Sequence, residues 1–263
     1  MDSVEVAGLR IAFRRQGVGP PLLLLHGGYG CDSRAWRRQL DALSDEFTVV
    51  AWDAPGHGQS SDPPETFALS DYADAVAGFV AALGLDRPHV LGLSFGGGLA
   101  IEVYRCHPTI PRTLVLAGAY AGWAGSLPSD VVEERLQRAV RESELPPETW
   151  LPAYMPGMLS PSASPDLVDE MLSMMLGIRP VGLRAELRAF AKADLRDVLP
   201  TIDVPTLVLH GEHDQRAPLN VAEDLHTHIP GSTLVVLTGV GHVSNVEAPD
   251  RFNDAVRDFL HKH

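Results

Sequence analysis

The sequence predicts an α/β fold, a mostly parallel twisted sheet with helices on both faces. Two observations predict it. Short apolar, β-rich runs alternate with helical stretches along most of the chain, the rhythm of a sheet covered on both sides. A length of 263 residues, 45% of them hydrophobic and 21% charged, suits one large soluble domain better than two small ones.

Val4 to Arg15, broken at Ala7-Gly8, reads as an opening hairpin, and Leu22 to Leu25 as a buried strand. Arg34 to Leu43 reads as a helix with Trp36, Leu40 and Leu43 on one face. Phe47 to Trp52 is the next strand. Asp71 to Leu83 is amphipathic, with Asp71 or Ser70 available as its cap. His89 to Leu93 is a strand, Gly96 to His107 a helix and Thr113 to Ala119 a strand. The rhythm then breaks. Asp130 to Glu144, Pro165 to Leu176 and Pro180 to Ala193 read as helices separated by proline-rich turns, with no convincing strand. Strand Thr206 to His210, helix Leu219 to Ile229, strand Thr233 to Leu237 and helix Pro249 to His261 complete the chain. The expected organisation is a core of residues 1–119 and 200–263, with a helical cap, residues 120–199, inserted before the strand that leads to the acid-bearing loop. An insertion that long is expected to serve as a lid.

The formal net charge of −13 makes nucleic acid a poor partner for the surface as a whole. The first residues show neither a basic nor an apolar leader segment, and no apolar run is long enough to span a bilayer, so a cytoplasmic protein without a membrane partner is expected. Cys31 and Cys106 are then expected as free thiols. A homo-oligomer is compatible with all of this.

Gly92-Leu93-Ser94-Phe95-Gly96 is the central motif. A bare G-x-S-x-G is weak, but this one follows the strand at 89–93 and opens the next helix. That context demands a sharp turn with the serine hydroxyl exposed and glycines where strand and helix approach closely. A serine hydroxyl needs a base, and the base needs an orienting acid. Both occur downstream, in the order serine, acid, histidine, each just beyond a strand: Asp214 after Leu207-Val208-Leu209, and His242 after Val235-Val236-Leu237. Rivals for the base are His57, His210 and His213, and the rival acid is Glu212. The glycine-rich stretch His26-Gly27-Gly28-Tyr29-Gly30 follows the first parallel strand. Its Gly28 amide, with that of Phe95, is expected to bind an oxyanion, Tyr29 being the alternative register. His26 is expected to shape that loop through backbone hydrogen bonds.

Taken together, Leu24-Leu25-His26-Gly27-Gly28, Asp53-Ala54-Pro55-Gly56-His57-Gly58-Gln59-Ser60, the motif at Ser94, Pro205 to Asp214 and Gly241-His242 resemble the α/β-hydrolase superfamily over essentially the whole chain. The closest likeness is to the serine-nucleophile branch with carboxylesterases, enol-lactonases and cofactor-free haloperoxidases (perhydrolases). Relatives that place the acid after the strand ending near Ala119 carry a carboxylate there; this chain has none, which favours Asp214. Serine at 94 disfavours the aspartate-nucleophile epoxide hydrolases and dehalogenases, and Val243 after the histidine departs from the C–C bond hydrolases.

The resemblance implies hydrolysis of an ester or lactone of a small, largely apolar substrate through an acyl-enzyme, with no metal and no organic cofactor. Perhydrolysis, C–C cleavage of a vinylogous diketone and a ligand-binding receptor are the alternatives. Tyr29, Trp123, Met155 and Met158 are the candidate substrate contacts, a polarizable roof for an apolar ligand. Trp150 and Tyr154 lie nearby, although for any single one of these side chains core filling is the stronger explanation. Arg179, Arg184 and Arg188 recur at nearly helical spacing, and a solvated basic face is expected there.

Overall fold

A computed structural model describes residues 1–263. Eight strands form one sheet: β1 (Asp2–Val6), β2 (Leu9–Gln16), β3 (Pro21–Leu25), β4 (Thr48–Trp52), β5 (His89–Leu93), β6 (Thr113–Ala117), β7 (Thr206–Gly211) and β8 (Thr233–Leu237). Their order is β1-β2-β4-β3-β5-β6-β7-β8. The β1–β2 and β2–β4 pairs are antiparallel and the other five are parallel. The helices are α1 (Arg37–Leu43), α2 (Leu69–Ala82), α3 (Phe95–Cys106), α4 (Trp123–Ser126), α5 (Ser129–Glu142), α6 (Met155–Met158), α7 (Pro165–Met175), α8 (Pro180–Lys192), α9 (Leu219–His228), α10 (Ser244–Glu247) and α11 (Pro249–Leu260). None is long and apolar enough to cross a membrane.

The central strands read as unbroken apolar runs because both faces are covered: every residue of β4, β5 and β6 is buried. Their side chains join one continuous core that also takes in Trp36, Phe79, Phe190 and Phe252. Between β6 and β7 the chain forms α4 to α8 and short 3₁₀ turns, with no strand. This helical segment packs on the core through the amphipathic α8, whose buried face carries Leu183, Leu187 and Phe190.

Two local readings need correction. The helix expected over 34–43 begins as a 3₁₀ turn, Ser33–Trp36, because Asp32 caps it by accepting the Arg34 N–H at 2.8 Å; the α-helix proper starts at Arg37. Helix α2 begins at Leu69, before the expected cap. Neither Ser70 nor Asp71 is the capping residue; instead Asp71 reaches back one turn to accept the Ala68 N–H at 2.7 Å.

The parallel strands end in step. Leu25 pairs with Gly92, Leu93 with Ala117, and Gly211 with Leu237, so the loops after β3, β5, β6, β7 and β8 gather at one edge of the sheet. The crossing of β5, α3 and β3 at that edge leaves no room for side chains. A Cβ on Gly92 would lie 2.1 Å from the Gly96 carbonyl oxygen, and one on Gly96 would lie 2.1 Å from the Leu25 carbonyl oxygen. Both obstacles are backbone and cannot rotate away. Gly96→Ala is therefore expected to destabilise the protein by at least about 3 kcal/mol, a drop in Tm of roughly 10 °C for a chain this size. Gly177→Ala, whose Cβ would meet nothing closer than 3.5 Å, is the control and is expected to leave Tm nearly unchanged. Equal Tm values for the two variants by differential scanning calorimetry would contradict the packing argument.

Candidate active site

Ser94 sits at the β5–α3 crossing as the N-cap of α3 with φ 55° and ψ −113°, one of four non-glycine residues with positive φ. Such a backbone state costs on the order of 1–3 kcal/mol and persists only where its surroundings impose it. Here the Ser94 N–H donates to the Ala117 carbonyl at 2.8 Å, while its own carbonyl accepts from Gly97 and Gly98 at 3.0 and 3.1 Å. Strand β6 holds one side of the turn and the first turn of α3 holds the other, which leaves the hydroxyl facing a cavity.

The loops after β7 and β8 bring Asp214 and His242 to the same cavity edge. His242 Nδ1 donates to Asp214 Oδ2 at 2.7 Å, and Asp214 Oδ1 accepts the N–H groups of Arg216 and Ala217, each at 2.8 Å. Burial pushes the Asp214 carboxyl up, but His242 and His210 beside it and the Ala217 amide outweigh burial and hold it below its ordinary value. Gly118, with φ 49°, passes beneath the imidazole; a Cβ there would lie 3.1 Å from His242 Nδ1. Glu247 accepts the Gly241 N–H at 2.9 Å and the Ser160 N–H at 3.1 Å, tying the histidine loop to the helical segment. Ser94 and His242 line the same cavity, with no hydrogen bond joining them.

The rival residues are otherwise engaged. Glu212 is exposed and accepts the Gly239 N–H at 2.8 Å. His210 Nε2 donates to the Ala217 carbonyl at 2.9 Å, and His213 is exposed. His26 Nδ1 donates to the Gly27 carbonyl at 2.7 Å and Nε2 accepts the Ala54 N–H at 2.9 Å, so a single neutral tautomer braces the loop. In that loop no protein group accepts the Gly28 N–H. The Phe95 N–H, first in α3, has no carbonyl one turn earlier to bond. The Tyr29 amide instead faces the Glu186 carboxyl.

Gly28, Tyr29, Ser94, Phe95, Trp123, Met158 and His242 all line the cavity. Met155 does not: one turn before Met158 in α6, it is buried in the interior and takes no part in the lining. Arg179, Arg184 and Arg188 form no free basic face. Arg179 donates to the Ser60 carbonyl at 2.7 Å, and Arg184 and Arg188 grip the two oxygens of Glu65, which latches α8 to the core.

Sequence reading missed Cys31, Tyr120, Glu186, Phe190 and Arg216 in the lining. Glu186 left a signal, since it lies at helical spacing between Leu183 and Phe190 on the apolar face of α8. Its side chain and that of His57 are each only 1% exposed, with Oε2 2.9 Å from Nε2. Burial raises the Glu186 carboxyl to about 8 against the opposing Tyr29 amide, and pushes His57 well below its ordinary value. The pair is therefore neutral near pH 7, an acid lying against an imidazole. The free space of the cavity is ≈ 20 Å³, close to that of one water molecule. A roomier surface hollow of ≈ 570 Å³, beside Arg34 and Glu170, contains none of these side chains. No group of three His, Cys, Asp or Glu side chains is arranged to hold a metal ion.

A family model described as the alpha/beta hydrolase fold matches residues 20–249. Among solved structures, a thermophilic esterase from Thermogutta terrifontis, with malate bound, superimposes with a TM-score of 0.92 at 30% identity, covering 100% of this chain and 99% of that one. The enol-lactonase from Burkholderia xenovorans LB400 does so with a TM-score of 0.85 at 26% identity, covering 99% and 100%. The (E)-2-((N-methylformamido)methylene)succinate hydrolase of Acinetobacter baylyi is 28% identical over 93% of this chain and 92% of that protein.

Glu186 makes stability depend on pH. Its native state keeps a proton that the unfolded chain releases near the ordinary value of 4.5, so the native state binds more protons between 4.5 and about 8. Stability attributable to this group falls as pH rises through that window and levels off above it. Glu186→Gln is expected to gain in Tm over the wild type progressively from pH 5 to 8, with no further gain at pH 9. A Tm difference that does not vary with pH would rule out a buried, neutral Glu186.

Proposed function

The chain belongs to the α/β-hydrolase family, and from that premise we propose that it hydrolyses a carboxylic ester or lactone of a small, largely apolar substrate through an acyl-enzyme on Ser94. One observation carries the reading: a serine in a strained strand-to-helix turn shares its cavity with a histidine whose Nδ1 is bound to a buried carboxylate.

In this reading the Asp214 bond fixes the proton on Nδ1 and leaves Nε2 of His242 basic. Ser94 Oγ attacks the carbonyl carbon while Nε2 takes its proton. The carbonyl oxygen becomes an oxyanion held by the N–H groups of Gly28 and Phe95, at the positive end of α3. The C–O bond to the alcohol breaks as Nε2 returns the proton to the leaving oxygen. Water, deprotonated by Nε2, then attacks the acyl carbon and releases the acid and Ser94. An esterase and an enol-lactonase among the relatives support this chemistry. Residues 120–199 act as a lid. A free volume of ≈ 20 Å³ is far below that of a typical ligand site, so a substrate enters by displacing side chains of α6 and α8. Trp123, Met158 and Tyr29 then supply apolar contacts to it.

Ser94→Ala is expected to lower turnover of a small-ester and lactone panel by a factor on the order of 10⁶ without changing Tm. A fluorophosphonate probe is expected to label wild-type protein at Ser94 alone, as read by peptide mass spectrometry; labelling at Cys31 or Ser60 would overturn the assignment. Asp214→Asn is expected to reduce kcat by on the order of 10⁴ through loss of the tautomer, with Glu212→Gln close to wild type. The reverse ranking would make Glu212 the acid.

A further inference from the structure

Arg216 is a cation in the cavity wall without a counterion. Its backbone N–H is bound to Asp214 Oδ1, which places the residue in register with the proposed acid. Its side chain lines the cavity with Ser94, His242 and Gly28. The same side chain, with Tyr29, also lines an adjoining hollow of ≈ 190 Å³ bounded by Arg135, Arg138, Glu134 and Tyr154. Arg216 and Tyr29 thus form the partition between an outer hollow and the candidate active site.

The other arginines of this region have carbonyl or carboxylate partners. Arg135 donates to the Arg216 carbonyl at 3.1 Å and to the Tyr120 hydroxyl at 3.4 Å, and Arg138 to Glu142 at 2.9 Å. No carboxylate or carbonyl oxygen accepts from the Arg216 guanidinium. Its carbon stands 5.0 Å from the Tyr29 ring centroid and 5.3 Å from that of Tyr154, and its one oxygen partner is the neutral Tyr29 hydroxyl, to which it donates. Aromatic faces hold a guanidinium in place without neutralising it. A partly desolvated cation in this state has unmet demand for an anion, and its planar fork matches a carboxylate better than a point charge does.

We propose that Arg216 anchors a free carboxylate on the substrate, so that the esters or lactones turned over are those of small acids bearing a second, ionised carboxyl group. This rests on the reading of Ser94 as nucleophile. Apart from the Gly28 and Phe95 amides, which the reacting carbonyl oxygen occupies, nothing else in the lining favours an anion, and the net charge of −13 repels one at long range. A preference for anionic substrates must therefore come from this local contact. The apolar walls still contact the chain that links the two carboxyl groups.

The test compares monomethyl succinate with methyl pentanoate, a neutral ester of similar length, by methanol release. Wild-type kcat/KM is expected to favour the hemiester at least tenfold. Arg216→Gln is expected to lower that ratio by about 10- to 100-fold, the loss of one charge-assisted contact, and Arg216→Lys to keep part of it. A wild-type ratio near one, or a ratio unchanged in Arg216→Gln, overturns the anchor while leaving the esterase reading intact. If neither ester is hydrolysed and Ser94 resists the fluorophosphonate, the esterase reading is what fails. Calorimetry then decides the anchor without turnover: succinate is expected to bind Ser94→Ala at least tenfold more tightly than Ser94→Ala/Arg216→Gln, and equal affinities overturn it. Should Arg216→Gln fail to fold, the wild-type ratio and Arg216→Lys carry the comparison.

Discussion

The architecture turns on the absence of side chains where β5 and α3 cross β3. Gly92 and Gly96 let the three backbones approach until a single added carbon would overlap a carbonyl oxygen. That closeness forces the chain through the positive-φ turn at Ser94, which local residue preferences alone would never favour. The strain is sustained because the Ser94 amide and carbonyl are bonded on both sides, to β6 and to α3. The parallel register then brings the other loops to the same edge, so the position of His242 relative to Ser94 is a property of the whole sheet. Gly118, passing beneath the imidazole, extends the same rule from β5 to β6.

The seam between the helical segment and the core is organised by charge. At its rim, Glu65 is gripped by Arg184 and Arg188, and Glu170 by Arg38. Exposed pairs of this kind contribute little stability each but fix the orientation of α7 and α8. Deeper in, burial reverses the preference. Glu186 and His57 are stripped of water together, which favours the neutral form of each, and His26 and Arg179 further oppose a charged His57. The Glu186 carboxyl also lies against Gly28, where an added Cβ would overlap it, so α8 touches the stretch that carries a free amide.

Much of the fold was legible in the sequence. Apolar runs bounded by turns located the central strands β3 to β7 to within a residue or two, because burial on both faces leaves little freedom in composition, and turn residues placed the more exposed β1, β2 and β8 about as well. The Ser94 turn was legible from glycine spacing next to a strand. Asp214 and His242 were singled out by chain order and by position just past strand ends, and the fold brings their side chains within 2.7 Å. Glu212, two residues from Asp214 and chemically equivalent in a linear reading, is separated from it by the direction of the loop alone: one side chain turns inward, the other to solvent.

Helix starts were set by short-range caps, and the cavity walls by tertiary structure. Asp32 draws the chain into a 3₁₀ turn before α1, and Asp71 serves its helix from inside it; both depend on bonds to specific amides that periodicity does not encode. Met155 and Met158 are indistinguishable by composition, yet the single turn of α6 sends only one of them to the cavity. Arg179, Arg184 and Arg188 looked like a cationic face and became latches, whereas Arg216, inconspicuous in the sequence, is the arginine left facing the cavity. Local pattern determines which stretches are buried and where the backbone must be bare. The partners of Arg179, Arg184 and Glu186 lie more than a hundred positions away, and only the packed chain brings those together.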